Sequence, residues 1–281
     1  MTGSGPGDLV PLSPVNLPFL LKIARAAAWD AAAAIMEVYA DPAFAVRHKS
    51  DASPLTLADE RAEQVILSAL EKAEPRIPAI SEERASAEGL PDEAPPRFWL
   101  VDPLDGTREF VKRNGEFTVN IALIEKDRPI LGVLLAPALD ILYAGLGLGT
   151  AVMQRGRGGA LEPIATRLPS AEGIVVAQSR SHGDKELDAF LAPFKIKERR
   201  DAGSALKFGL VATGEADLYP RFGPTMEWDT AAGQAVLEAA GGSVLNHDGS
   251  PFRYGKKGFK NPGFIACGSD DLGLSVRERP S

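Results

Sequence analysis

Cysteine is almost missing from this chain: Cys267 is the only one in 281 residues. That excludes an internal disulfide and any zinc or iron–sulfur centre built from several thiolates. Cys267 closes the apolar run Phe264-Ile265-Ala266-Cys267, so a buried structural thiol in a reducing cytoplasm is expected. Long apolar runs are missing too, and none approaches the roughly 20 residues that span a bilayer. The start of the chain lacks an early positive charge. The first is Lys22, after a stretch rich in Gly, Pro and Ser, which is the wrong order for a secretory signal. Residues 1–16 read as a flexible tail. Positive charge is in deficit overall, with 31 Lys and Arg against 38 Asp and Glu and a formal charge of -7. This argues against nucleic acid as a general partner, and the short basic group Lys256, Lys257 and Lys260 reads as a solvated face. A small anionic substrate stays compatible if a few basic groups converge. Peripheral attachment at the inner membrane and the oligomeric state are left open.

What is present is an ordinary globular composition, 44% hydrophobic and 25% charged, enough for a large core in one domain or two packed halves. An Ala-rich helix is expected from near Asn16, with residues 21–39 as its body and Asp41-Pro42 as its stop. A second runs over 56–74 with Thr56 as its cap and Val65, Ile66, Ala69 and Leu70 on one face. A short apolar segment then ends at Ile80. Residues 98–101 read as a buried strand that ends at Asp102-Pro103. Strands at 117–125 and 130–136 form a hairpin through 126–129, and 141–144 and 151–154 extend that sheet. The Gly/Arg-rich stretch 155–159 is the expected junction. Beyond it, strands at 174–177, 216–219, 242–245 and 264–267 alternate with helices at 204–213 and 229–240, the latter closed by Gly241-Gly242. An α+β half (17–155) thus precedes an α/β half (156–281).

The most informative stretch is Trp99-Leu100-Val101-Asp102-Pro103-Leu104-Asp105-Gly106-Thr107. Two aspartates follow a buried strand, Gly106 permits close backbone approach, and Thr107 can open a helix. A helix N-terminus suits a phosphate, but carboxylates beside it repel one unless a cation intervenes. The pattern therefore points to a hard divalent metal such as Mg²⁺ held by oxygen ligands. On spacing alone, Asp102 and Asp105 read equally as turn residues, since Asp-Pro and Asp-Gly are common turn pairs. Glu82 taken singly is a surface acid, and Asp229 a helix cap.

Three segments together change that reading: Ser81-Glu82-Glu83, Asp102-Pro103-Leu104-Asp105-Gly106-Thr107, and Trp228-Asp229-Thr230-Ala231-Ala232-Gly233. In order and separation they resemble the lithium-sensitive, Mg²⁺-dependent phosphatases related to inositol monophosphatase. The last departs from the family pattern by one alanine before the glycine, and the similarity covers roughly 17–270. The resemblance implies a layered αβαβα sandwich with the site between the two halves. It also implies that Glu82, Asp102, Asp105, Asp229 and the Leu104 main-chain carbonyl hold two or three Mg²⁺ ions. Lys49-Ser50-Asp51-Ala52-Ser53-Pro54-Leu55-Thr56, followed by Ala58-Asp59, is similar to the family stretch whose first Asp helps activate water. Asp51 and Thr107 are accordingly paired as the activating elements, for direct attack by water without a phosphoenzyme.

The run Arg108-Glu109-Phe110 and Lys112-Arg113-Asn114-Gly115-Glu116-Phe117 looks like the CysQ-type 3'(2'),5'-bisphosphate nucleotidase branch. That branch acts on adenosine 3',5'-bisphosphate and its sulfated relative and is linked to sulfate assimilation. By that resemblance Ser204, Lys207 and Arg221 contact the nucleotide phosphates and His182 borders the nucleoside. Glu82, Asp105, Gly106, Thr107 and Asp229 line the scissile phosphate. A second phosphate that the metals do not neutralise calls for such remote cations. Without the resemblance, Lys207 and Arg221 read as solvated charges. The alternatives are an inositol or sugar-phosphate phosphatase of the same superfamily and a catalytically silent nucleotide or metal sensor.

Overall fold

The first helix, α1 (Leu17–Ala40), starts where Asn16 accepts the Phe19 amide and stops at Asp41, whose backbone turns extended. The computed structural model describes residues 14–41, 54–180, 185–269 and 272. Helix α2 (Pro54–Ala73) begins two residues before the expected cap. Pro54 is pre-shaped for the first helical position, so Thr56 lies inside the first turn. Among the described residues no helix is long and apolar enough to cross a membrane.

Seven strands make the first sheet: β1 (Ala79–Ser81), β2 (Arg97–Asp105), β3 (Thr118–Glu125), β4 (Arg128–Ala136), β5 (Ile141–Gly145), β6 (Val152–Arg155) and β7 (Leu161–Pro163). They lie side by side in chain order, β1 parallel to β2 and the rest antiparallel. The β3–β4 turn is tighter than expected, because Arg128 already pairs with Glu125. Residues 155–159 do not close this sheet. They form the β6–β7 turn, and the change of sheet falls between Pro163 and Ile174.

Side-chain alternation divides the sheet's two faces. Trp99, Val101, Ile121, Leu123, Val133 and Leu135 join the buried residues of α1 and α2, while Phe98, Leu100, Ala122, Ile124 and Leu134 face the other way. Against that second face lie α6 (Leu206–Ala212) and α7 (Glu227–Ala239). Helix α7 rides so close that a Cβ on Gly132 would stand 2.5 Å from the Ala232 carbonyl oxygen.

Beyond these helices is the second sheet, ordered β12 (Ser243–Leu245), β14 (Phe264–Cys267), β10 (Leu218–Arg221), β8 (Ile174–Gln178) and β9 (Ile196–Asp201). Its outer face packs Ile174, Val176, Leu218, Ile265 and Cys267 against Leu191 of α5 (Lys185–Leu191). The layers are therefore αβαβα, as the resemblance implied, and Cys267 is buried. Short elements complete the chain: α3 (Glu82–Glu88), α4 (Thr107–Lys112) and the pair β11 (Thr225–Met226) with β13 (Lys260–Asn261).

Candidate active site

The strand expected to stop at Asp102-Pro103 continues to Asp105, and what happens there builds the site. Asp102 stands opposite Asn120 and Asp105 opposite Thr118, so Pro103 and Leu104 together oppose the single residue Val119. This is a β-bulge, the setting in which proline is tolerated inside a sheet. Alternation would send residues three apart to opposite faces. The extra residue restores Asp105 to the face of Asp102. Leu104 points the other way, into the core under α1 and α2, while its amide donates to Asp102 Oδ1 at 3.0 Å.

Glu82 opens α3 immediately after β1, whose Ser81 pairs with Val101, so the chain delivers it beside Asp102. Asp229 arrives from the middle layer. It is the third residue of α7, not its cap, and its Oδ2 accepts the Met226 amide at 2.9 Å. One carboxylate oxygen from each of Glu82, Asp102 and Asp229 lies within 4.8 Å of the others. Asp105 adjoins this trio, with Oδ2 accepting the Ala205 amide at 2.8 Å.

Crowded carboxylates hold their protons. Burial, then Glu83 and Asp105, push Glu82 up to about 7, and burial and Asp105 push Asp229 to about 7. Burial and then Asp105 hold Asp102 well above the usual carboxylate range. Asp105 is raised as well, by its own burial, which the Lys207 charge and the Ala205 amide oppose. Such a cluster ionises fully only around a cation. An all-oxygen, anionic donor set suits a hard divalent ion. The Trp228 side chain hydrogen-bonds Glu82 and favours its ionised form, while the buried Asn120 carboxamide, across the sheet from Asp102, has no hydrogen-bond partner.

The second half contributes a turn, Gly203-Ser204-Ala205. Helix α6 was expected from residue 204. Instead Ala205 is the cap, while Ser204 sits at φ 44° with its Oγ 2.8 Å from Thr118 Oγ1. Gly106, in the left-handed region at φ 91°, is required here because a Cβ would come 3.0 Å from Ser204 Cβ. Thr107 follows as the exposed first residue of α4.

Lys207 is not the open phosphate contact expected of it. It is 1% exposed, donates to the Ala202 and Ser204 carbonyls at 3.1 and 2.5 Å, and lies 5.0 Å from the Tyr219 ring centre. Burial lowers it to about 8. Arg221, half-buried at the end of β10, bonds the Gly223 and Pro224 carbonyls at 3.4 Å, and its charge favours ionised Asp105 and Asp229. Asp51 and His182 lie outside the described residues.

A model of the inositol monophosphatase family matches residues 16–267. The chain belongs to that family. Within it, the protein named 3'(2'),5'-bisphosphate nucleotidase CysQ from Escherichia coli strain K12 is 46% identical over 237 residues, 84% of this chain and 94% of that one. Its namesake from Salmonella typhimurium strain LT2 is 48% identical over 238 residues, with the same coverage. Among solved structures, CysQ from Bacteroides thetaiotaomicron is similar with a TM-score of 0.77 and 37% identity, covering 90% of this chain and 99% of that one. An inositol monophosphatase from Zymomonas mobilis follows at 0.74 and 27%, covering 93% and 98%.

On this family scaffold the structure adds residues that motif reading passed over. Asp59 of α2 is buried and pushed up to about 8 by burial and by Glu83, Glu82, Glu63 and Glu60. Its signal was its place at the close of the Lys49–Asp59 stretch. Glu116 accepts the Gly203 amide at 2.8 Å and pairs with Arg180, tying the turn of the second half to the first.

Proposed function

We propose that this chain is a 3'(2'),5'-bisphosphate nucleotidase that hydrolyses adenosine 3',5'-bisphosphate to AMP and phosphate in a Mg²⁺-dependent reaction. The observation that carries the reading is the meeting of Glu82, Asp102 and Asp229 within 4.8 Å, from three separate elements. The relatives named as such nucleotidases, 46–48% identical over 94% of their length, support the substrate class.

Glu82, Asp102 and Asp229, with Asp105 and the Leu104 carbonyl, are the groups to hold Mg²⁺, in two or three ions. Bound Mg²⁺ supplies neutralisation of the charge that builds on the phosphoryl oxygens. The chain's own residues do the rest. Thr107 orients the attacking water by accepting its hydrogen bond and passes a proton to a carboxylate. Asp59 suits that acceptor role, since burial and neighbouring acids raise its proton affinity to the neutral range. Asp51 is the competing acceptor, and Asp59→Asn against Asp51→Asn separates the two by which one abolishes turnover. Gly106 and the Gly203–Ala205 turn line the phosphate, Arg221 faces the second phosphate, and His182 borders the nucleoside. Lys207 acts from beneath that turn.

The deciding experiment is phosphate release from adenosine 3',5'-bisphosphate, inositol 1-phosphate and fructose 1,6-bisphosphate, with and without Mg²⁺ and with added Li⁺. The nucleotide is expected to turn over fastest, only with Mg²⁺, and Li⁺ to inhibit. Preference for either sugar phosphate removes the nucleotidase assignment.

A further inference from the structure

Asn120 is the lone carboxamide in the strand Thr118-Val119-Asn120-Ile121-Ala122-Leu123-Ile124-Glu125. It is 1% exposed, and neither its Oδ1 nor its Nδ2 has a hydrogen-bond partner. Native proteins leave few buried polar side chains unmet, because each forfeits its bonds to water without replacement. An apolar residue of similar size would fit this strand better. The cost calls for a compensating role.

The place of Asn120 in the sheet narrows that role. It stands directly opposite Asp102 on β2, while its neighbour on β4 is the apolar Leu134. Cross-strand partners share a face with their Cβ atoms about 4.5–5.5 Å apart, so the polar group next to Asn120 in the sheet is the Asp102 carboxylate. Leu104 N–H already occupies Asp102 Oδ1. A carboxylate accepts about four hydrogen bonds or ligand contacts, which leaves capacity for an ion and for a second donor.

We propose that Asn120 is a positioning residue for Asp102: in the cation-loaded site its carboxamide N–H donates to the Asp102 carboxylate, directly or through one water, and fixes the orientation in which that carboxylate meets the ion. This rests on the reading of the carboxylate trio as a Mg²⁺ site. Together with the Leu104 amide it gives Asp102 two fixed donors on separate strands. Partners of this kind commonly change metal affinity by about 10–100-fold when removed.

The test uses the full-length protein, Asn120→Val and Asn120→Ala, each titrated with MgCl₂ by calorimetry and melted with and without Mg²⁺. Both variants are expected to bind Mg²⁺ at least about tenfold more weakly. Without Mg²⁺, Asn120→Val is expected to melt at or above the parent temperature, because the unmet polar atoms are gone. With Mg²⁺ its gain in melting temperature is expected to shrink. Asn120→Ala guards against overpacking by the branched methyl groups, so weakened binding in both variants supports the role and parental binding in either one overturns it. Parental Mg²⁺ affinity in both variants, with only a lowered melting temperature, makes Asn120 an ordinary core residue and overturns the proposal. If the parent protein itself takes no Mg²⁺, the metal-site reading falls and this proposal falls with it.

Discussion

The two faces of the seven-stranded sheet solve opposite problems with alternate residues of the same strands. Toward α1 and α2 the sheet presents Trp99, Val101, Leu123 and Val133, an apolar surface packed on an Ala-lined helix pair. Toward α7 the neighbouring positions include Asp102, Thr118 and Asn120, all buried and polar. A fully buried large apolar side chain contributes roughly 1.5–3 kcal/mol, whereas a buried carboxylate in company with others opposes folding until a cation joins them. One face supplies stability and the other spends its positions on chemistry.

Substitutions on the two faces break this comparison apart. Asp102→Asn is expected to lower kcat/KM by about 100-fold or more while the melting temperature without Mg²⁺ holds or rises, because one repelling charge disappears. Normal turnover would remove Asp102 from the centre. Leu123→Ala, on the other face, is expected to cost about 2–5 kcal/mol of stability with kcat/KM of the folded fraction within a few-fold of the parent. A denaturant melt paired with a steady-state assay reads both.

The cations brought to the polar face by the second half sharpen the contrast further. Arg221→Ala is expected to raise KM for the nucleotide bisphosphate about tenfold and to spare a simple phosphate monoester, because its guanidinium acts on the ionised face. Lys207→Met is expected to harm both substrates alike, since its ammonium fastens two carbonyls of the Ser204 turn. A bisphosphate-selective loss in Lys207→Met would restore it to direct contact.

The smallest effect concerns pH. Glu82 and Asp229 titrate at about 7 in the fold but near 4 in an unfolded chain. Between those values the unfolded state releases protons first, so stability without Mg²⁺ declines as pH rises from 4 to 7 and then levels. Mg²⁺ displaces those protons and is therefore expected to raise the melting temperature by more at pH 8 than at pH 5.5. Equal shifts at the two values would mean the ion binds elsewhere.

The sequence told much of this and concealed part of it for physical reasons. The three acidic segments were legible through the family resemblance they carry together, since singly each read as a turn, a cap or a surface acid, and the long Ala-rich and β-branched segments showed their elements plainly. The β2 bulge was hidden. Phe98-Trp99-Leu100-Val101 is buried on both faces, so no alternation marks which way Asp102 points, and Pro103 imitates a stop. Strand β9, Ile196-Lys197-Glu198-Arg199-Arg200-Asp201, was missed because it is a charged sheet edge with little buried surface. Lys207 looked solvated because nothing local reveals that Tyr219, from another strand, lies beside it. Asn120 was missed as well, because nothing local reveals that its cross-strand partner is Asp102.

Helix α7 is the layer both sheets share, and it carries Asp229. A chain emerging from the ribosome presents Glu82, Asp102 and Asp105 more than a hundred residues before that last carboxylate. The carboxylate group is thereby completed only when α7 lies against the first sheet, so its last member comes from the layer between the two sheets.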